Sequence, residues 1–267
     1  MNTTLLVIDP QNDFCDGDGA ALPVPGAAAD LLRVSDLIAR ISDCLSDIVI
    51  TLDTHQTVSI ERTTFWKQGD GAPVQPFTEI TEQAAREGRY APRDASRLPE
   101  VLAYLRDLEA GHRYRLMVWP VHCVLGTWGH NILPPLARHI AAWEERNQRA
   151  ALKVLKGMNP MTEQYSAVRA EVPRNDDPLT RTNPVLVARA KPPADGQLLV
   201  VGEASSHCVN ATLTHLLETM TPEERSRVVI LRDCMSPVTG FVAAAEAFFE
   251  RAAAQGVRVT TSAEVFS

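Results

Sequence analysis

Six short apolar, β-branched runs, each giving way to a polar or turn residue, constrain this chain more than any other feature. They cover residues 5–8 before Asp9, 48–52 before Asp53, 152–155 before Lys156, 198–201 before Gly202, 228–231 before Arg232, and 257–261. Continuous apolar runs of this length suit strands buried on both faces of a sheet. Helical patterns lie between them. Leu31, Val34, Ile38, Ile41 and Leu45 recur every three or four residues. So do Ile132, Leu136, Ile140 and Trp143, then Val209, Leu213, Leu216 and Met220, and a last helix falls near 241–254. Strands alternating with helices predict an α/β fold with a parallel sheet covered on both faces. In such sheets function gathers at the carboxyl ends of the strands. That rule singles out Asp9, Asp53, Lys156 and the turn from Gly202 to Cys208.

Residues 60–118 break the alternation. They carry Gly69-Asp70-Gly71, Pro73, Pro76, Pro92 and Pro99, and one helix with apolar positions Leu98, Val101, Leu102, Leu105 and Leu108. This reads as an inserted excursion near the cleft mouth, either a lid or substrate wall or a surface elaboration. Of its aromatics Phe65, Trp66, Phe77 and Tyr90, at least one is expected to line a pocket or a subunit boundary, Phe65 or Trp66 foremost. The alternative is a small satellite core under the excursion.

A chain of 267 residues fits one elaborated α/β domain, 1–267. Its net charge of −7 argues against nucleic-acid or anionic-membrane partners. No apolar run reaches membrane-spanning length, and the first residues reach Asp9 without a basic segment, unlike a signal peptide. Five scattered cysteines read as free thiols of a reducing, cytoplasmic compartment.

Two His-Cys-Val triplets, at 122–124 and 207–209, compete for the nucleophile. Cys208 follows an apolar strand and a small-residue turn and opens a helix. A thiol at a helix N-terminus feels the positive end of the dipole, which favours thiolate, and nearby backbone N–H groups suit an oxyanion. Cys123 has a less defined setting. A thiolate needs a proton manager and a charge partner. Asp9 and Lys156 fit those roles at neighbouring strand ends, or form an ordinary ion pair. Asp53-Thr54-His55 sets a carboxylate and an imidazole on one side of an extended chain. With His122 they make a two-histidine, one-carboxylate set with open coordination positions. His112, His130, His139 and His215 read as surface or satisfied polar residues, and His207, beside the candidate nucleophile, is the more tempting case, with a direct role as its lesser reading.

Asp9-x-Gln11-Asn12-Asp13-Phe14-Cys15, Asp53-x-His55, Trp119-Pro120-x-His122-Cys123-Val124, Lys156-Gly157 and Gly202-x-Ala204-x-x-x-Cys208-Val209 together resemble the nicotinamidase branch of the isochorismatase-like cysteine hydrolases. Tyr165-Ser166-Ala167 and Arg232-Asp233-Cys234 fit the same pattern. The resemblance implies a single doubly wound, mainly parallel six-stranded sheet with helices on both faces. It implies a triad of Asp9, Lys156 and Cys208, and an oxyanion hole from the backbone of Ala204 and Cys208 with a cis peptide before Ala204. It implies Phe14 and Trp119 around the substrate ring. It implies a divalent metal on Asp53, His55 and His122, most often zinc, with manganese or iron as alternatives, and no organic cofactor. The activity implied is hydrolysis of a small primary amide, nicotinamide first, through a thioester. The alternatives are another carboxamide or ureido compound, or a non-catalytic ligand-binding member. Cytoplasmic homo-oligomers are usual in the family. The chain departs from the family at its metal loop. The usual D-W-H-P, with a second histidine after it, is here Asp53-Thr54-His55-Gln56-Thr57-Val58-Ser59-Ile60.

Overall fold

The computed structural model describes residues 2–265. In chain order its strands are β1 (Asn2–Ile8), β2 (Leu45–Asp53), β3 (Trp66–Gln68), β4 (Thr78–Ile80), β5 (Tyr90–Pro92), β6 (Leu116–Val118), β7 (Leu152–Lys156), β8 (Gly196–Gly202), β9 (Val228–Leu231) and β10 (Arg258–Thr260). The helices are α1 (Ala27–Ile41), α2 (Glu82–Arg86), α3 (Leu98–Ala110), α4 (Pro134–Asn147), α5 (Pro184–Arg189), α6 (Cys208–Glu218), α7 (Pro222–Arg225) and α8 (Val242–Ala254). The six strands expected from the apolar runs form one sheet in the order β10-β9-β8-β1-β2-β7, and every pairing in it is parallel.

The period-two alternation of strand side chains divides the core between the two faces. Leu5, Val7, Ile48, Ile50, Leu199 and Val201 pack against Leu31, Val34, Leu37 and Ile38 of α1 and Leu136, Ile140 and Trp143 of α4. Leu6, Ile8, Val49, Leu198 and Val200 face the other way, onto Val209, Leu213 and Leu216 of α6 and Phe248 and Phe249 of α8. Each wholly buried aliphatic side chain contributes about 1.5–3 kcal/mol.

Three expectations shift at element boundaries. Leu45 continues the α1 period but opens β2, because the chain turns after Ile41. Ile132 and Met220 lie just outside α4 and α6. The runs at 152–155 and 257–261 are not buried on both faces: β7 and β10 are the two sheet edges, Leu155 is 48% exposed, and Arg258 lies exposed with Val259 and Thr260 half-buried.

The chain runs β1, β2, β7 to one side and returns through β8, β9, β10 on the other. The strand order therefore reverses between β1 and β8, the position where such sheets open a crevice. Gly202 ends β8 there with φ 113°, and a Cβ on it would come within 2.0 Å of Ile8 O. Only glycine lets the two strands close at this point.

The excursion begins and ends at that same crevice. Trp119 N donates to Glu61 O at 2.7 Å and Thr63 N to Trp119 O at 3.3 Å. Between these ends lie two short antiparallel ladders, β3 with β5 and β4 with β6. They close over a separate core of Ile60, Phe65, Trp66, Ile80, Val101, Leu105 and Val118. The expectation that Phe65 or Trp66 lines the pocket is not met. Both fill this satellite core, and Trp66 Nε1 donates to Ile60 O at 2.6 Å.

Candidate active site

Register places the charged residues. Asp53 and Lys156 are paired across β2 and β7, Asp9 follows β1, and Cys208 opens α6 after β8. Four adjacent strands therefore deliver four reactive groups to one crevice. Lys156 Nζ lies 2.6 Å from Asp53 Oδ1, 3.0 Å from Asp9 Oδ2 and 3.5 Å from Cys208 Sγ. Asp9, with φ 45°, is steadied by Thr51, whose Oγ1 donates to Asp9 Oδ1 at 2.5 Å. Gln11 ties the strand ends together: its Nε2 donates to Asp53 O, and its Oε1 accepts from Asp53 N, both at 2.7 Å.

The electrostatics follow from full burial. Burial pushes the Cys208 thiol well up. Lys156 pulls it down, and the Asp9 and Asp53 charges raise it again. The helix-terminus argument for a resting thiolate thus meets a stronger opposing effect. Burial also raises Asp9, against the pull of Lys156, which makes Asp9 a better proton acceptor. Burial would discharge Lys156, but Asp53 and Asp9 hold its pKa well above the ordinary value. Burial would raise Asp53, yet His55 and Lys156 keep it well below the carboxylate range.

The turn between β8 and α6 contains a cis peptide between Glu203 and Ala204. Among the described residues, the backbone N–H groups of Ala204 and Cys208 have no acceptor. Both residues line one cavity with an empty volume of about 420 Å³, together with Phe14, Trp119, Tyr165 and His207. Trp119 Nε1 donates to Tyr165 Oη at 3.1 Å, which fixes the indole on the cavity wall. His207 packs edge-on against Trp119 and Phe241 at 5.3 and 4.7 Å, and burial lowers its pKa to about 4. Cys123 does not reach the cavity. It is wholly buried, and burial raises its thiol far above the usual range. Of the two cysteines, only Cys208 lines the cavity.

Asp53, His55 and His122 meet at the same cavity, their donor atoms all within 4.8 Å of one another. Asp53 Oδ2 lies 2.8 Å from His55 Nε2 and 3.2 Å from His122 Nε2. The set fits a divalent ion in type and spacing. His55 Nδ1 lies 3.0 Å from Glu61 Oε1, a carboxylate within ion-pair reach of the ring. Gly157, at φ 80°, makes room for that ring: a Cβ there would come within 2.6 Å of His55 Cε1.

Glu61, Arg62 and Glu163 also line the cavity, and sequence reasoning passed over all three. Nothing in the local pattern of Ile60-Glu61-Arg62-Thr63 marks it as interior. Its burial comes from the return strand carrying Trp119. Glu163 is likewise hidden in a loop, where burial and the Glu61 charge lift its carboxyl to about 8. His130 and His139 are satisfied polar groups, with Thr54 Oγ1 at 2.9 Å and Ser35 Oγ at 2.6 Å. His112 is exposed. Buried His215 meets Arg113 through Nε2, and its Nδ1 has no hydrogen-bond partner among the described residues.

No family model matches the chain. The nicotinamidase of Saccharomyces cerevisiae is 27% identical over 130 residues, which span 49% of this chain and 48% of that protein. The chain's match thus spans about half the length of this curated relative. A solved structure of the yeast nicotinamidase superposes with a TM-score of 0.66 at 22% identity, covering 97% of this chain and 99% of that one. The pyrazinamidase of Pyrococcus horikoshii, solved in complex with zinc, gives 0.55 at 20% identity, covering 98% and 99%. The fold is that of the isochorismatase-like hydrolases. In sequence and in fold the chain resembles their nicotinamidase branch.

Proposed function

We propose that this chain is a cysteine amidohydrolase that converts a small primary amide to its acid and ammonia, with nicotinamide the leading substrate. The observation that carries the reading is Lys156 Nζ bridging Asp9 and Asp53 within 3.5 Å of the cavity-lining Cys208 thiol. Asp9 takes the thiol proton, and Lys156 holds the resulting thiolate. Sulfur attacks the amide carbonyl carbon, and the oxygen gains negative charge facing the Ala204 and Cys208 N–H groups. The C–N bond then breaks as Asp9 returns its proton to the leaving nitrogen, giving ammonia and a thioester. Water, deprotonated by Asp9, cleaves the thioester to acid and thiol. Phe14 and Trp119 supply an aromatic enclosure for a planar ring.

Asp53, His55 and His122 would hold a divalent ion, zinc in the first instance, which when bound supplies positive charge and open coordination positions. The reading also carries a single hydrolase domain working as a cytoplasmic homo-oligomer. It rests there on the resemblance alone and is tested by sedimentation velocity. Among the described residues no helix is long and apolar enough to cross a membrane. The direct test of activity is ammonia release from a panel of small amides by the wild-type and Cys208→Ala proteins. Release from at least one amide, lost in the variant, supports the reading. Release that survives Cys208→Ala refutes it.

A further inference from the structure

Glu203 stands behind the turn that presents the Ala204 and Cys208 N–H groups, and the proposed chemistry leaves it unused. It is wholly buried yet does not line the cavity. A carboxyl buried this fully is costly unless it is hydrogen-bonded. Its Oε2 accepts from Ser236 N at 3.1 Å. The Ser236 carbonyl accepts from Ser205 N at 3.0 Å, and its Oγ donates to Asp30 Oδ2 at 2.6 Å. Val238 N donates to Ser206 Oγ at 3.0 Å. The segment after β9 is therefore laced to the turn at Glu203, Ser205 and Ser206. Asp30, in the first turn of α1, also accepts from Arg33, whose Nε donates to Asp233 O at 2.6 Å. Gly26 keeps the approach open: a Cβ on it would come within 2.7 Å of Ser236 Oγ.

The protonation of Glu203 follows from these contacts. Among the described residues no N–H or O–H reaches its Oε1, and the group beside the side chain is the Asp30 carboxylate. Two carboxyl groups in hydrogen-bond contact do not both ionise, so one proton bridges them. Asp30 has two donors of its own, Arg33 and Ser236 Oγ. Glu203 has one, on Oε2, so Oε1 carries the proton and donates to Asp30. Burial pushes the Glu203 carboxyl well up, the Asp30 charge adds to this, and the bond from Ser236 N offsets part of it. Cys15 and Asp16 are the other titratable groups close by.

The Ala204 N–H belongs to the peptide unit that begins at Glu203, so its direction depends on how Glu203 is held. On the other side of Ala204, His207 N and Val209 N donate to Ala204 O at 3.0 and 3.2 Å. We propose that Glu203 is a positioning residue: as a neutral acid spanning Ser236 N and Asp30, it aims the Ala204 N–H at the oxygen that gains charge during amide cleavage. The step it serves rests on the amidase reading. Methionine at this position would fill the space and supply neither bond. Glutamine would supply both, because its oxygen accepts and its NH2 donates.

The test compares Glu203→Met and Glu203→Gln with the wild-type protein in two measurements. The first is kcat and KM for nicotinamide. Removing one such donor outright costs about 10²–10³ in kcat. Misaiming it in Glu203→Met should therefore cost at least tenfold, with KM within threefold. Glu203→Gln should recover kcat to within threefold of the wild-type value. The second is hydrogen exchange at the Ser205 amide, followed by nuclear magnetic resonance without substrate. Exchange should be at least tenfold faster in Glu203→Met and within threefold of wild type in Glu203→Gln. If Glu203→Met does not fold, Glu203→Asp takes its place. Its shorter side chain cannot span Ser236 N and Asp30 together, and the same losses are expected. Wild-type kcat in Glu203→Met overturns the proposal, as does a loss carried by KM. A Glu203→Gln protein as impaired as Glu203→Met overturns it, and so does unchanged Ser205 exchange in Glu203→Met. If the wild-type protein releases no ammonia from any amide, the amidase reading falls, and Ser205 exchange alone decides whether Glu203 holds the turn.

Discussion

At the scale of single residues, the site is a chain of buried charges that cannot be cut without cost. Lys156 separates two carboxylates, so Lys156→Met leaves Asp9 and Asp53 facing each other without a cation. Breaking a buried pair in this way costs about 3–5 kcal/mol. Thermal denaturation should show that loss, and kcat should fall at least a hundredfold, the size of effect expected for a charge-stabilising group. Asp9→Asn should lower kcat by a similar factor with a smaller change in stability. Gly157→Ala pushes on the His55 ring and forces alanine to a positive φ. Equilibrium dialysis should show weaker cobalt binding by this variant. Glu163 supplies a pH signature. Its pKa rises from 4.5 to about 8 on folding, so the folded state binds the extra proton between those values. Stability from this group is full below pH 4.5 and is lost as pH rises through about 8. Chemical denaturation across that window should show the decline, and Glu163→Gln should flatten it.

Elements were legible in the sequence where periodicity and burial agree. The four central strands showed as apolar runs because they lie between two helical layers and are buried on both faces, whereas the edge strands β7 and β10 are partly exposed. Their ends were less legible. Leu45 kept the helical period of α1 by coincidence, and Leu155 looked buried although β7 has no neighbour on its outer side. The excursion was visible as a break in pattern, but its role was not. Aromatic residues near a ligand-bearing loop suit a pocket wall or a local core equally well, and packing alone decides. Phe65 and Trp66 went to the core, while Phe77 lies exposed with its ring 5.7 Å from Trp119. Phe65→Ala should therefore cost about 3–5 kcal/mol of stability, as for a large buried aromatic. The relative rates on a panel of amides should stay unchanged. A shifted profile at preserved stability would assign Phe65 to the site.

Across the whole molecule, the candidate site was legible as far as it sits on strand ends. Asp9, Asp53, Lys156 and Cys208 follow four neighbouring strands, and the switch in strand order gathers them. Glu61 and Arg62 reach the same cavity from a segment held by the tertiary pairing of Glu61 with Trp119, and Glu163 reaches it from the loop after β7, where its N–H donates to Tyr104 Oη. No local pattern encodes either contact.

The central claim is a covalent one: the substrate acyl group passes through the Cys208 sulfur. Rapid acid quenching of the wild-type protein during turnover of nicotinamide, followed by peptide mass spectrometry, measures this directly. The account predicts a nicotinoyl group on the peptide containing Cys208, absent when hydrolysis is complete and absent from the Cys208→Ala protein. An acyl group on Cys123, or ammonia release by Cys208→Ala at the wild-type rate, would contradict it.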